Sequence, residues 1–255
     1  YYQNIFFMKN FSAPFGSTIT LNNGIKNYTF DLYSEECFEL LSNMMLKVSV
    51  EKKLNYQLNW LGRPIIQFPS DVAVLQELIW NIKPDLIIET GVAHGGSLVL
   101  SASILELIGK GKVIGIDIEI REHNRVAIEN HPLSHRIELI EGSSIAESTV
   151  NKIKPYLKEN LIVMALLDSN HTQKHVTEEI KIYSNFVTPG SYLVVHDGAQ
   201  AFVSDIPRGK LEWGIDHPLS SIHKFIKENK NFEIDKNMTR FGQTSSPDGW
   251  LKKLK

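Results

Sequence analysis

With 255 residues, 42% of them hydrophobic, the chain can bury one large α/β core or two modest domains. A formal charge of −2 gives none of the basic field that nucleic-acid binding needs. The single cysteine, Cys37, excludes an internal disulfide and points to the reducing cytoplasm; the longest apolar runs, such as residues 161–167, fall far short of the ~20 residues that span a bilayer.

Residues 1–57 read as an N-terminal extension, aromatic-rich, with a turn at Asn22, Asn23 and Gly24 and a helix expected over residues 34–50. Regular patterning starts at Pro69. Val72, Leu75, Leu78, Ile79 and Ile82 share one helical face, and Pro84 ends that helix. A short apolar strand, 86–88, follows. The alternation then runs helix 97–108, strand 113–116, helix 124–130, strand 137–140, helix 146–156, strand 161–167 and helix 172–186. Pro189 and Gly190 lead into a last strand at 192–195, and the lysines at 252, 253 and 255 read as a solvated tail. Short, nearly continuous apolar strands between amphipathic helices call for a parallel sheet covered on both faces. Residues 58–255 are therefore expected to form a doubly wound, Rossmann-like α/β domain, in which ligands sit beyond the carboxyl ends of the strands.

The first of those strands runs into Glu89, Thr90, Gly91, Val92, Ala93, His94, Gly95, Gly96 and Ser97. Glycines let the backbone turn sharply and approach a ligand, and the following helix start offers free N–H groups. The spacing is not G-x-G-x-x-G, and Glu89 stands two residues before the first glycine. An acid there repels a pyrophosphate but attracts the amino group of a methionine moiety, which favours S-adenosylmethionine over a dinucleotide. Glu89, Thr90, Gly91 and Ser97 are the cofactor-binding candidates of this loop. Asp117 ends the second strand, where a carboxylate can accept from both ribose hydroxyls. Ser143, in the Gly-Ser turn after the third strand, is a candidate for the adenine edge or the sulfonium side.

The fourth and fifth strands end in Asp168, with His171 three residues on, and in His196 and Asp197. Taken singly, Asp168 could cap the next helix and His196 could be a packed core histidine. Their joint place at neighbouring strand ends favours a divalent metal, with Asp168, His196 and Asp197 as ligands; carboxylate oxygen and imidazole nitrogen suit Mg²⁺, Mn²⁺, Fe²⁺ or Zn²⁺. The remaining histidines, His175 among them, and Trp60, Trp213 and Trp250 read as packing or surface residues.

The stretches Trp60-Leu61-Gly62-Arg63-Pro64, Gln67-Phe68-Pro69-Ser70-Asp71, Ile88-Glu89-Thr90-Gly91, Gly115-Ile116-Asp117-Ile118, Asp168-Ser169-Asn170-His171, Val194-Val195-His196-Asp197 and Ser246-Pro247-Asp248-Gly249-Trp250-Leu251 resemble the cephalosporin hydroxylase and rhamnosyl O-methyltransferase family. The resemblance spans residues 58–252. It implies an S-adenosylmethionine-dependent O-methyltransferase assisted by Mg²⁺, acting on a hydroxyl of a sugar in a glycan, glycolipid or secondary metabolite. It implies that Glu89 and Gly91 hold the methionine part, Asp117 the ribose, Asp168 and Asp197 the metal, and that His171 is the base. The family usually has a glutamate before the second aspartate. Here His196 stands there, and an imidazole shifts the expected ion toward Mn²⁺ or Fe²⁺. Asn170, where aspartate is common, leaves the ligands intact.

A sugar hydroxyl is a poor nucleophile until a cation polarises it and a base takes its proton. Histidine, with an ordinary pKa of about 6.5, suits the second task. Two rivals stay open at this stage: an iron-dependent hydroxylase with a two-histidine, one-carboxylate triad, and an inactive cofactor-binding homologue. The sequence also leaves open whether the chain acts alone or as a homo-oligomer.

Overall fold

The computed structural model describes residues 12–255. Strands β1 (Thr18–Asn22) and β2 (Asn27–Asp31) form an antiparallel hairpin around the expected Asn-Asn-Gly turn. The Asn22 and Asn23 side chains accept from the backbone of Gly24 and Ile25, and Gly24 takes the positive φ such a turn requires. Ser34 then caps α1 (Glu35–Glu51), its hydroxyl accepting from the Cys37 amide at 3.1 Å. A second hairpin follows, β3 (Leu58–Trp60) and β4 (Arg63–Ile65). Three-residue strands leave too short a pattern for sequence reasoning to find.

Pro69 opens α2 (Pro69–Ile82), where its missing N–H costs nothing, and Pro84 follows its end. The expected alternation then appears: β5 (Leu86–Thr90), α3 (Gly96–Ile108), β6 (Lys112–Asp117), α4 (Glu122–Glu129), β7 (Ile137–Glu141), α5 (Glu147–Ile153), β8 (Val163–Leu167), α6 (Gln173–Tyr183) and β9 (Tyr192–Val195). The helix expected over 146–156 stops at Ile153, and Lys154–Tyr156 tightens into a 3-10 turn, because Pro155 cannot donate to the α ladder.

Three further elements complete the sheet side: α7 (Pro218–Glu228), β10 (Phe232–Ile234) and β11 (Trp250–Lys253). The seven-stranded sheet has the order β10-β11-β9-β8-β5-β6-β7, parallel from β9 to β7 and antiparallel at β10 and β11. The lysines read as a solvated tail are thus partly structural. Lys253 lies in β11 and donates to the carbonyls of Ser184 and Val187, at 3.0 and 2.8 Å.

Strand alternation sorts the core into two layers. Ile87, Val113, Met164, Leu166 and Val194 pack with α2, α3 and Trp250 on one face. Leu86, Ile88, Ile114, Ile116, Leu167 and Val195 pack with α6 and α7 on the other. After β5 the chain builds outward through β6 and β7, then returns to lay β8 on the other side of β5. That reversal opens a crevice between the carboxyl ends of β5 and β8. Among the described residues no helix is long and apolar enough to cross a membrane.

Candidate active site

The loop after β5 turns through left-handed backbone at Gly91, Ala93 and Gly95, with φ of +92, +45 and +79°. Gly91 is the tightest point: a Cβ there would lie 2.0 Å from the Asp168 carbonyl oxygen, across the switch point. Arg63 holds the loop from β4, donating to the His94 carbonyl and to the Asn124 side chain, and Asn124 donates to the Ala93 carbonyl. Asp117 holds it from β6, where Oδ2 accepts from the Val92 amide at 2.8 Å. The carboxylate expected to face the ribose therefore also fixes the loop expected to face the methionine part.

One cavity is lined by Glu89, Gly91, Ser97, Asp117, Asp168, His171 and Asp197, among others. Glu89 is 2% exposed; Ser97 donates to its Oε1, and its Oε2 is buried with no partner among the described residues. Burial pushes its pKa to about 7, with the Ser97 hydroxyl working the other way. A carboxylate so placed asks for a cation. Thr90 is different from the expectation for it: fully buried, it does not line the cavity, and its hydroxyl accepts from the Asp168 amide at 3.3 Å, tying β5 to the end of β8. Ser143 lines an adjoining recess with Asp117, Ser144, Ser169 and His175. His175, read from sequence as packing or surface, belongs to that recess; its Nε2 is 3.1 Å from Ser144 Oγ and 3.6 Å from the buried Glu179 carboxylate.

Because a folded-state pKa of about 7 replaces an ordinary 4.5, Glu89 contributes stability that is full below pH 4.5 and lost as pH rises through 7. A cationic amino group beside it reverses the trend, so cofactor affinity should rise across the same window. Melting temperatures of wild type and Glu89→Gln between pH 5 and 8, with and without S-adenosylhomocysteine, test this; identical pH slopes for the two proteins would contradict it.

At the metal end, Asp168, His171 and Asp197 offer one ligand atom each, all within 4.8 Å of one another. His171 Nε2 is 3.2 Å from Asp197 Oδ2. Asp197 has a φ of +57°, a strained conformation for a residue with a Cβ, which aims its carboxylate at this cluster from the end of β9. The Asp168 carboxyl is held well above the ordinary range by burial, then by the negative charges of Asp197 and Glu89. Converging carboxylates with this much unfavourable charge fit a divalent cation.

His196 stands apart from the expected ligand set. It is 3% exposed and does not line the cavity, and its Nδ1 lies 2.9 Å from Ser246 Oγ and 3.4 Å from Gln67 Nε2. Burial lowers its pKa to about 4, which keeps it neutral. The residue the sequence reading named as base, His171, is the imidazole that joins the two aspartates.

Two positions that entered the sequence analysis only as part of the family resemblance, with no role assigned, support this arrangement. Gln67 bridges Asp168 Oδ2, at 3.5 Å, and the His196 ring. Asp71, 1% exposed on α2, accepts from Thr244 Oγ1 at 2.5 Å and from the Ser245 amide and hydroxyl at 2.7 and 2.9 Å, pinning the segment that carries Ser246. Nothing in the helical pattern marks Asp71, since an acid in a first turn ordinarily faces water.

The switch-point crevice, the glycine loop beside an acidic strand end and the acid after the second strand place the chain in the class of doubly wound, Rossmann-like proteins with a ligand site at the strand ends. A family model described as rhamnosyl O-methyltransferase/CmcI matches residues 52–254. The chain belongs to that family. A rhamnosyl O-methyltransferase of Mycobacterium bovis is 30% identical over 190 residues, 71% of this chain and 72% of that protein. One of Mycobacterium leprae is 32% identical over 140 residues, 54% of this chain but 59% of its own length. Among solved structures, CmcI with Mg and SAM shares the fold at a TM-score of 0.55 and 18% identity, over 78% of each chain. An O-methyltransferase from Bacillus cereus in complex with SAH does so at 0.50 and 16%, over 79% of this chain and 84% of that one.

Proposed function

We propose that the chain transfers the methyl group of S-adenosylmethionine to a sugar hydroxyl with the help of a divalent metal. The observation that carries this is one cavity joining the unpartnered Glu89 carboxylate oxygen to the cluster of Asp168, His171 and Asp197. Two relatives named rhamnosyl O-methyltransferases support a sugar as acceptor, in a glycan, glycolipid or secondary metabolite.

In this reading Glu89 binds the methionine amino group, and Ser97 steadies it from α3. Asp117 keeps one carboxylate oxygen on the loop and gives the other to the ribose. The recess of Ser143, Ser144, Ser169 and His175 receives the adenine. Asp168 and Asp197 hold the metal, with His196 behind them as a packed, neutral imidazole. A divalent cation there supplies positive charge that favours the ionised form of an adjacent hydroxyl. His171 takes the hydroxyl proton; the 3.2 Å contact of Nε2 with Asp197 fixes the ring and leaves Nδ1 to accept it. The cavity walls set acceptor oxygen, methyl and sulfur in line.

The division into an extension, residues 1–57, and a methyltransferase domain, residues 58–255, is part of the proposal; the family match beginning at residue 52 supports it. So is a cytoplasmic location, supported by the lone, buried Cys37.

The test is incubation with methyl-labelled S-adenosylmethionine, Mg²⁺ or Mn²⁺, and a panel of glycosides, with label expected on a sugar oxygen. Cofactor binding without transfer to any glycoside would favour a non-catalytic role. Iron-dependent oxygen uptake without the methyl donor would favour a hydroxylase.

A further inference from the structure

Past His171 and Asp197 a second recess opens between α1 and the segment that follows β9. Its wall is mixed: Leu46 and Val50 from α1 and Phe68, Ala199, Val203 and Trp213 from the body of the domain form an apolar side, and Asn55, Gln67, Gln200 and Ser245 add polar groups near His171 and Asp197. Arg208 is the one lysine or arginine in its lining. The guanidinium gives one N–H, from Nη1, to the Val50 carbonyl at 2.8 Å, and the Arg208 backbone N–H goes to Glu51 Oε2. Among the described residues, no carboxylate forms an ion pair with the guanidinium, although every other arginine with a described ion pair lies away from this recess. Capping the end of α1 accounts for a single N–H of the five that arginine carries. A half-buried cation beside an apolar side of the wall, with donors to spare and in the same recess as His171, is suited to an oxyanion that offers two oxygens in bidentate contact. Trp213 offers a flat apolar face in the same wall.

Resting on the methyl-transfer reading above, we propose that this recess binds the acceptor and that Arg208 selects an acidic sugar, engaging its carboxylate or phosphate while the hydroxyl to be methylated faces His171. The carboxylate is one ring away from the reacting hydroxyl in a uronic acid, and a phosphate ester extends the reach further. Both present the same oxygen fork to the guanidinium.

Calorimetry on the protein loaded with S-adenosylhomocysteine and Mg²⁺ tests it, with p-nitrophenyl β-D-glucoside, the matching glucuronide and the glucoside 6-phosphate as probes. One acidic probe or both should bind about 10- to 100-fold more tightly than the neutral glucoside, and whichever is tighter identifies carboxylate or phosphate as the preferred group. In Arg208→Met the preference should vanish while S-adenosylhomocysteine affinity, which reports a folded domain, is kept. Arg208→Lys, which keeps the charge without the fork, should retain only part of the preference. Equal binding of acidic and neutral glycosides, an acid preference that survives Arg208→Met, or binding of none of the three overturns the proposal. Methyl transfer to neutral and acidic glycosides alike would sink the role of Arg208 and leave the methyltransferase reading standing. Acid-selective binding without transfer would do the reverse.

Discussion

His171→Ala should lower turnover by about 10²- to 10⁴-fold, the usual contribution of a positioned general base, while metal and cofactor affinities stay near wild type. The expectation follows from the 3.2 Å contact between His171 Nε2 and Asp197 Oδ2, which orients the ring beside the aspartate pair without burying it, since the side chain keeps 31% of its exposure. A base must reach both the acceptor and solvent, and His171 lines both the cavity of Glu89 and the recess of Arg208. Metal titration supplies the counter-test. If His171→Ala loses metal binding in proportion to activity, the imidazole is a third ligand beside Asp168 and Asp197, and proton removal belongs elsewhere. Full activity in the variant would remove His171 from the mechanism altogether.

Gly91→Ala should cost the fold about 2 to 5 kcal/mol, from ~1–2 kcal/mol of left-handed backbone strain and ~1–3 kcal/mol of overpacking. Its φ is +92°, and the added Cβ would meet the Asp168 carbonyl oxygen at 2.0 Å and carbon at 2.6 Å, backbone atoms that cannot swing aside. Relief requires β5 and β8 to part at the switch point, so cofactor affinity should fall with stability. Gly190→Ala is the matched control: its φ is +81°, yet nothing lies within 4 Å of the new Cβ, so only the strain remains. Urea unfolding of the pair separates the two effects. Equal destabilisation would mean that the close approach to Asp168 contributes nothing.

Much of the scaffold was legible because the burial of a short apolar strand or an amphipathic helix writes a local period into the chain. The periodicity of α2, its end before Pro84, and the run of strands from β5 to β9 all follow from residues within a few positions of one another. The loop from Glu89 to Ser97, Asp117 and Asp168 were legible for a related reason: doubly wound sheets collect ligand chemistry at strand ends. That rule names positions without saying which way each side chain turns. Thr90 and Glu89 are neighbours on β5, and alternation sends Glu89 to the cavity and the Thr90 hydroxyl to the Asp168 amide. His196 and Asp197 are adjacent too, and the left-handed turn at Asp197 parts them, the one into the core against Ser246 and the other into the site.

The sequence by itself determined a doubly wound α/β domain, its glycine loop and the strand-end acids, because each is a local pattern of burial or backbone freedom. Only the tertiary structure decided which imidazole joins the two aspartates, that Gln67 bridges to Asp168, that Asp71 pins the segment of Ser245, and that Arg208 and Trp213 wall a recess with α1. Gln67 and Asp168 are 101 positions apart, Asp71 and Ser245 174, Val50 and Arg208 158. Contacts over such separations are set by how whole elements pack, and packing leaves no period in either partner's neighbourhood for a sequence to display.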